Sequence, residues 1–222
     1  MKTGIFLSYK GLGANLLHLS YCHQIAKKFG PVKLITLCPN LNKLLEDDPA
    51  FSEIIYLDKF HKRFFDLFKL SNFLKKYNFE NIFIFYPSLR HYLSSKIAGI
   101  KNIYQYPLFK KKNLHLVEAA KDFTEKSLNI KNCPTESKIV VNNLKAQKYK
   151  NNDLKKIVLG ISSSGPTTKW GYDNFTSLIK ELNKLDNFHF YLLCGLNDSI
   201  HADKIINQID RKNWESLASK DV

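Results

Sequence analysis

Three segments of the sequence combine glycine with charged, amide or hydroxyl residues in an order suited to holding a ligand. The first is Lys10-Gly11-Leu12-Gly13-Ala14-Asn15-Leu16. Gly11 and Gly13 would let the backbone approach a ligand closely, and a helix beginning after them would turn its N-terminal amides toward negative charge. This is not a dinucleotide fingerprint: Leu16 stands where the third glycine of GxGxxG would fall, and the next apolar run ends in Cys38-Pro39 without an acidic residue for a ribose. It is not a phosphate-gripping P-loop either, because no Gly-Lys-Ser/Thr follows. A tight turn that merely needs glycine is the competing reading.

The second segment is Gly160-Ile161-Ser162-Ser163-Ser164-Gly165-Pro166-Thr167-Thr168-Lys169-Trp170. The hydroxyls of Ser162, Ser163, Ser164, Thr167 and Thr168 can donate to phosphate oxygens, and Lys169 adds a point charge with three donors. Such a loop could grip a nucleotide diphosphate without a metal; the alternative is a polar loop whose Trp170 packs under the next helix. The third segment, Cys194-Gly195-Leu196-Asn197-Asp198, follows another apolar run. There Asp198 could reach a ribose or a base, or Asn197 or Asp198 could simply cap a helix.

Smaller clusters accompany these. Lys59, His61, Lys62 and Arg63 form one, and Arg90 with His91 forms another. Both fit an anionic acceptor, and both also fit solvated loops. His18 and Cys22 sit four apart, a geometry open to shared metal ligation, but with no third ligand at matching spacing buried packing is the better reading and no metal is expected.

The elements that must position these residues follow from the apolar pattern. Short apolar runs alternate with segments of helical period, the signature of βαβ units and a parallel sheet. Strands are expected at Gly4–Ser8, Val32–Leu37, Ile54–Leu57, Asn81–Tyr86 and Ile103–Tyr106, and helices at Leu16–Phe29, Arg63–Tyr77, Leu89–Ala98 and His115–Leu128. The stretch Asn129–Asp153 reads as a linker with one strand at Lys138–Val141. Alternation then restarts with a strand at Lys156–Ile161, a helix at Tyr172–Leu185, a strand at Phe190–Cys194 and a helix at Ser199–Ile209, whereas Trp214–Val222 shows neither a helix stop nor a final strand. The pattern gives an α/β chain of two Rossmann-like domains, residues 1–153 and 154–222, and the second is too short for a full doubly wound domain and is expected to be truncated.

Composition sets the outer bounds. Of 222 residues, 44% are hydrophobic and 24% charged, which supports a folded core. Thirty-four Lys and Arg against 20 Asp and Glu give a net charge of +14, favouring nucleic acid, a phosphorylated glycolipid or an anionic membrane face. No helix-turn-helix, zinc-finger or RNP-type aromatic motif supports nucleic acid. The four cysteines are far apart, with no CxxC pair, and read as reduced thiols. Gly4–Leu7 is too short for a signal-peptide core and no run reaches the roughly 18 apolar residues of a spanning helix, so a cytoplasmic protein is expected.

Several of these segments together resemble the glycosyltransferases of family 9, which include the ADP-heptose:lipopolysaccharide heptosyltransferases. Gly11–Lys28, Val32–Leu37, Asp48-Pro49 and Ile54-Ile55-Tyr56-Leu57-Asp58 are similar to that family's opening, where a Gly-x-Gly-Asp-x-Leu-Leu loop leads into the first helix. Ser162–Trp170 with Asp173-Asn174-Phe175 resembles the entrance to its second domain, and Tyr191–Asp198 resembles the strand and loop beyond. The resemblance implies a GT-B-like architecture, no cofactor or metal, a nucleotide-sugar donor such as ADP-heptose, and an anionic lipopolysaccharide-core glycolipid as acceptor. It also implies donor-binding roles for Ser162, Ser163, Ser164, Thr167, Thr168, Lys169 and Asp198. Acceptor-side roles fall to Gly11, Gly13, Lys59, His61, Lys62, Arg63 and Arg90, with peripheral contact at an anionic inner-membrane face. The family's loop aspartate, its acceptor base, falls on Ala14 or Asn15; Asn15 is taken as that catalytic position, although an amide is no general base. The family's Gly-Asn-Asp-Ser/Thr-Gly donor motif has no counterpart before Val222. A non-catalytic nucleotide-binding or scaffolding relative of the same fold is the alternative.

Overall fold

The computed structural model describes residues 2–58, 66–107, 114–140, 154–163, 166–195, 198–209 and 213–218. The chain forms two compact units, Met1–Val141 and Asn142–Val222. The boundary expected after Asp153 lies outside the described residues.

The first unit is a five-stranded parallel sheet in the order β3-β2-β1-β4-β5, with β1 at Thr3–Leu7, β2 at Val32–Thr36, β3 at Phe51–Tyr56, β4 at Asn81–Ile84 and β5 at Asn102–Gln105. Every residue of β1 and β4 is buried, as expected of central strands covered on both faces. The strand alternation sorts side chains into two cores. Ile5 and Leu7 join Leu19, Tyr21, Cys22 and Ile25 of helix α2 (Leu19–Phe29) and Phe123 of α6 (Leu116–Leu128). Phe6 points the other way, into a core with Ile35, Ile55, Ile82 and Ile84 that includes Leu70 and Leu74 of α4 (Asp66–Lys75). A short helix α3 (Leu41–Leu44) follows β2, and α5 (Leu89–Ile97) follows β4.

Two local expectations change. The single helix expected over Leu16–Phe29 is two, with α1 at Leu12–Leu16 ending before α2. The amide of His18 bonds back to the Asn15 carbonyl at 3.0 Å, and the Ala14 carbonyl that an unbroken helix would pair with it meets the His18 ring at 2.6 Å. A side chain inserted into the ladder is an ordinary cause of such a break. Residues 138–140 form no strand, and Val141 lies outside the described residues. The residues just before it are tied to the unit by side chains: Ser137 Oγ donates to the Leu16 carbonyl and Ser20 Oγ to the Pro134 carbonyl, each at 2.6 Å.

The second unit is a three-stranded parallel sheet, β6-β7-β8, built from Lys155–Gly160, Phe188–Leu193 and Trp214–Ser216. Helix α7 spans Tyr172–Leu185, where its apolar period predicts it, and α8 spans Ser199–Ile206. Ile179 of α7 and Ala202 and Ile205 of α8 share a core with Leu159, Phe190 and Leu192. The absence of a final strand is corrected: Trp214–Ser216 pairs in parallel with Phe190–Leu192. Three residues are too few to show a period in the sequence, and only the open edge of β7 selects them. No helix among the described residues is long and apolar enough to cross a membrane.

Candidate functional site

The loop after β1 is exposed along Gly11–Gly13, and a Cβ added at Gly11 or Gly13 would meet nothing within 4 Å. Gly11 has φ −77° and ψ 138°, values open to any residue, and neither glycine has positive φ. The turn itself therefore does not demand glycine here. What these glycines provide is bare backbone facing open space.

Asn15 lies at the other extreme. It is fully buried, its Nδ2 donating to the carbonyls of Tyr9 at 2.9 Å and Gly11 at 2.7 Å, while its Oδ1 accepts from Thr36 Oγ1 at 3.2 Å. Thr36 Oγ1 in turn accepts from the Cys38 amide at 3.0 Å. At the position where the resemblance places the acceptor base, the Asn15 side chain closes the loop from inside. A carboxylate in its place would face two carbonyl oxygens with no proton to give them.

Beneath the loop, His18 is buried and held below the ordinary imidazole range by that burial, so it is neutral near pH 7. With Nδ1–H donating to the Ala14 carbonyl, Nε2 is left to accept from the Tyr106 hydroxyl at 3.3 Å. Tyr9 stacks on the ring with centroids 4.8 Å apart, its own phenol pushed up to about 12 by burial and by neighbouring Tyr86. Burial likewise raises the Cys22 thiol. His18 and Cys22 are core residues, and no group of three or more His, Cys, Asp or Glu side chains among the described residues could hold a metal.

Of the basic clusters, Lys59, His61, Lys62 and Arg63 lie outside the described residues, as does Ser164. Arg90 is half-buried in the first turn of α5, whose N-cap Ser88 accepts from the His91 amide at 3.3 Å. His91 itself is buried against Phe6, ring centroids 4.4 Å apart.

The second unit gathers its polar residues at the carboxyl ends of β6 and β7. Ser162 follows β6, Lys169 follows a 3-10 turn at Pro166–Thr168, and Asp198 precedes α8. Lys169 Nζ donates to Asp198 Oδ1 and Ser162 Oγ to Asp198 Oδ2, each at 2.6 Å. The Gly195 amide donates to Ser162 Oγ at 3.1 Å, and Ser163 and Thr168 hydrogen-bond through their hydroxyls. Thr167 is exposed on the 3-10 turn, and Trp170 is half exposed, packed edge-on against Phe175 at 4.9 Å. The hydrogen bond from Lys169, and then that from Ser162, holds the Asp198 carboxyl below the usual carboxylate range.

The structure thus brings Ser162, Lys169 and Asp198, three of the expected donor-side residues, together. It also adds His201, which sequence reasoning missed. His201 Nε2 lies 4.0 Å from Asp198 Oδ1, and its ring stacks on Tyr172 with centroids 6.0 Å apart. The available signal was the Asp198–His201 spacing of three on one helix face.

No protein-family model matches the sequence, and no curated protein does. Solved structures do match. A family 9 glycosyltransferase from Veillonella parvula aligns with TM-score 0.71 and 16% identity over 99% of this chain and 70% of its own. The E. coli ADP-heptose lipopolysaccharide heptosyltransferase II aligns with TM-score 0.69 and 15% identity over 98% of this chain and 72% of its own. E. coli heptosyltransferase WaaC, solved with ADP, gives TM-score 0.71 and 15% identity over 100% and 76%. At such identities the likeness is one of fold: the chain has the parallel-sheet α/β fold of the GT-B type seen in these family 9 glycosyltransferases, as its motifs lead one to expect.

Proposed function

We propose that this chain serves glycosyl transfer, binding a nucleoside-diphosphate sugar through its second unit and a glycan acceptor through its first. ADP-heptose is the proposed donor and an anionic lipopolysaccharide-core glycolipid the proposed acceptor. The observation that carries this reading is the convergence of Lys169 and Ser162 on one carboxylate at the carboxyl ends of β6 and β7. Open α/β sheets bind ligands at that end. Two donors already oriented on an anion are placed to hold negative charge, and a neighbour of the same fold was solved with ADP.

In the proposed reaction an acceptor hydroxyl attacks the anomeric carbon as the bond to the diphosphate oxygen breaks. Lys169 and the hydroxyls of Ser162 and Ser163 stabilise the charge gathering on the leaving diphosphate. The bare backbone at Gly11 and Gly13, with Arg90, serves the acceptor side. A net charge of +14 suits an anionic acceptor at the cytoplasmic face of a membrane.

Calorimetric titration with ADP tests the donor site. Lys169→Ala is expected to weaken binding by about ten- to a hundredfold, the loss of a charge-assisted contact, while leaving the unfolding midpoint nearly unchanged. Equal dissociation constants would remove the donor-site reading. The second reading, a nucleotide-binding relative without catalysis, is favoured by the engagement of Asn15 in closing its loop. ADP binding with no release of ADP from ADP-heptose in the presence of acceptor would select it.

A further inference from the structure

We propose that the Asp198 carboxylate is a resident anion: it occupies on Lys169, Ser162 and His201 the position of a ligand phosphate, and a nucleoside diphosphate binds by displacing it. This rests on the nucleotide-binding reading above and fixes how that site is occupied when empty of ligand. Both carboxylate oxygens are engaged, Oδ1 by Lys169 and Oδ2 by Ser162, each at 2.6 Å. Ser162 is itself aimed by the Gly195 amide. His201 Nε2 approaches Oδ1 at 4.0 Å. Carboxylate and phosphate present paired oxygens to such donors in the same way, so what holds one can hold the other.

The ordinary structural reason for an aspartate here is absent. Asp198 is the N-cap residue of α8, yet its side chain makes no capping hydrogen bond to the helix amides. An N-cap aspartate normally accepts from the second or third amide of its helix. Asp198 turns away to Lys169 and Ser162, only 13% of its side chain exposed, and the Lys169 side chain with it is 34% exposed. The pair is therefore preformed at the surface, its carboxylate more covered than its ammonium.

His201 stands beside Lys169 and Ser162, its Nε2 4.0 Å from Oδ1 and too far for a hydrogen bond to the carboxylate. Its ring is fixed against Tyr172, over which Lys204 also lies at 4.7 Å, and its Nδ1 is enclosed without a hydrogen-bond partner among the described residues. Once the carboxylate swings out, Lys169, Ser162 and His201 face one phosphate. The consequence is a reversal of sign. An aspartate that recognised the ligand would lose affinity when neutralised, whereas a resident anion that competes with the ligand gains it.

The experiment is calorimetric titration of the full chain and its variants with pyrophosphate and with ADP at fixed salt. Asp198→Asn is expected to bind pyrophosphate about three- to tenfold more tightly than wild type, the release of a partly exposed ion pair. Lys169→Ala binds it more weakly than wild type, and His201→Gln shows a smaller loss in the same direction. Asp203→Asn, which removes an equal charge from the same helix without touching Lys169, should give clearly less than the gain of Asp198→Asn; an equal gain would reduce the effect to bulk charge and overturn the proposal. If Asp198→Asn leaves affinity unchanged or lowers it while ADP still binds through Lys169, the resident-anion role is overturned and the donor site stands. If neither wild type nor Asp198→Asn binds either probe, both are overturned. Asp198→Ser, which keeps a capping residue, repeats the test should the asparagine variant fold poorly.

Discussion

Where the chain leaves β1 for its first helix, the polar side chain of Asn15 is turned inward, both its amide protons and its oxygen engaged; at the ends of β6 and β7, Ser162, Lys169 and Asp198 satisfy one another near the surface. Asn15 gives two protons to carbonyls and takes one from Thr36. Lys169 and Asp198 cancel opposite charges that water or a ligand could equally well satisfy. The first arrangement stabilises the fold, because a buried polar group stripped of its partner costs its full desolvation. The second contributes little stability, as exposed ion pairs generally do, and is free to exchange partners. Strand-to-helix junctions in the two units, alike in sequence position, therefore divide structure from chemistry.

The largest expected effect sharpens that division. Asn15→Ala leaves two carbonyls and a buried hydroxyl without their partner and should lower stability by about 2–4 kcal/mol, read as a fall in the urea midpoint. Asn15→Asp should destabilise at least as much, since a carboxylate cannot donate to the Tyr9 and Gly11 carbonyls. A neutral outcome for both would mean that these hydrogen bonds do not hold the loop. The same measurement on Lys169→Ala should show almost no shift.

A smaller effect comes from His18, whose folded pKa lies below its ordinary value because it is buried. The unfolded chain takes up a proton near pH 6.5 that the fold refuses, so stability present above about pH 6.5 is lost as the pH falls, by at most about 1.4 kcal/mol per unit. Urea midpoints of wild type and His18→Gln measured from about pH 7.5 to about pH 5 check this: the variant should show the shallower decline. Parallel declines would mean that the imidazole is not held neutral by burial.

The smallest effect is at Gly13, inside α1 with ordinary backbone and open space around it. Gly13→Ala should be neutral or stabilising by up to about 1 kcal/mol, the usual gain from replacing a helical glycine. A marked loss of stability would show that the turn needs glycine after all. Loss of acceptor binding without loss of stability would support close backbone approach there.

The sequence by itself determined most elements and little of their partnering. Apolar period is a local property, and it placed β1, β2, β4 and β5 and the long helix Tyr172–Leu185 within a few residues. Hydroxyls, lysine and glycine likewise marked the loop after β6 as a place for anions, because side-chain chemistry is visible without coordinates.

Tertiary structure decided what those residues face. Whether Ala14 or Asn15 points inward depends on Thr36, 21 residues away on β2. The break between α1 and α2 depends on how His18 is seated under Tyr9 and against Tyr106, 88 residues on. The strand Trp214–Ser216 exists because β7 offers it an unpaired edge. Lys169 finds Asp198 29 residues later, and only because two parallel strands end side by side and deliver both loops to the same point. Period and residue type act over a single turn or strand, whereas a hydrogen-bond partner or a compensating charge is set by whichever distant segment the sheet brings alongside.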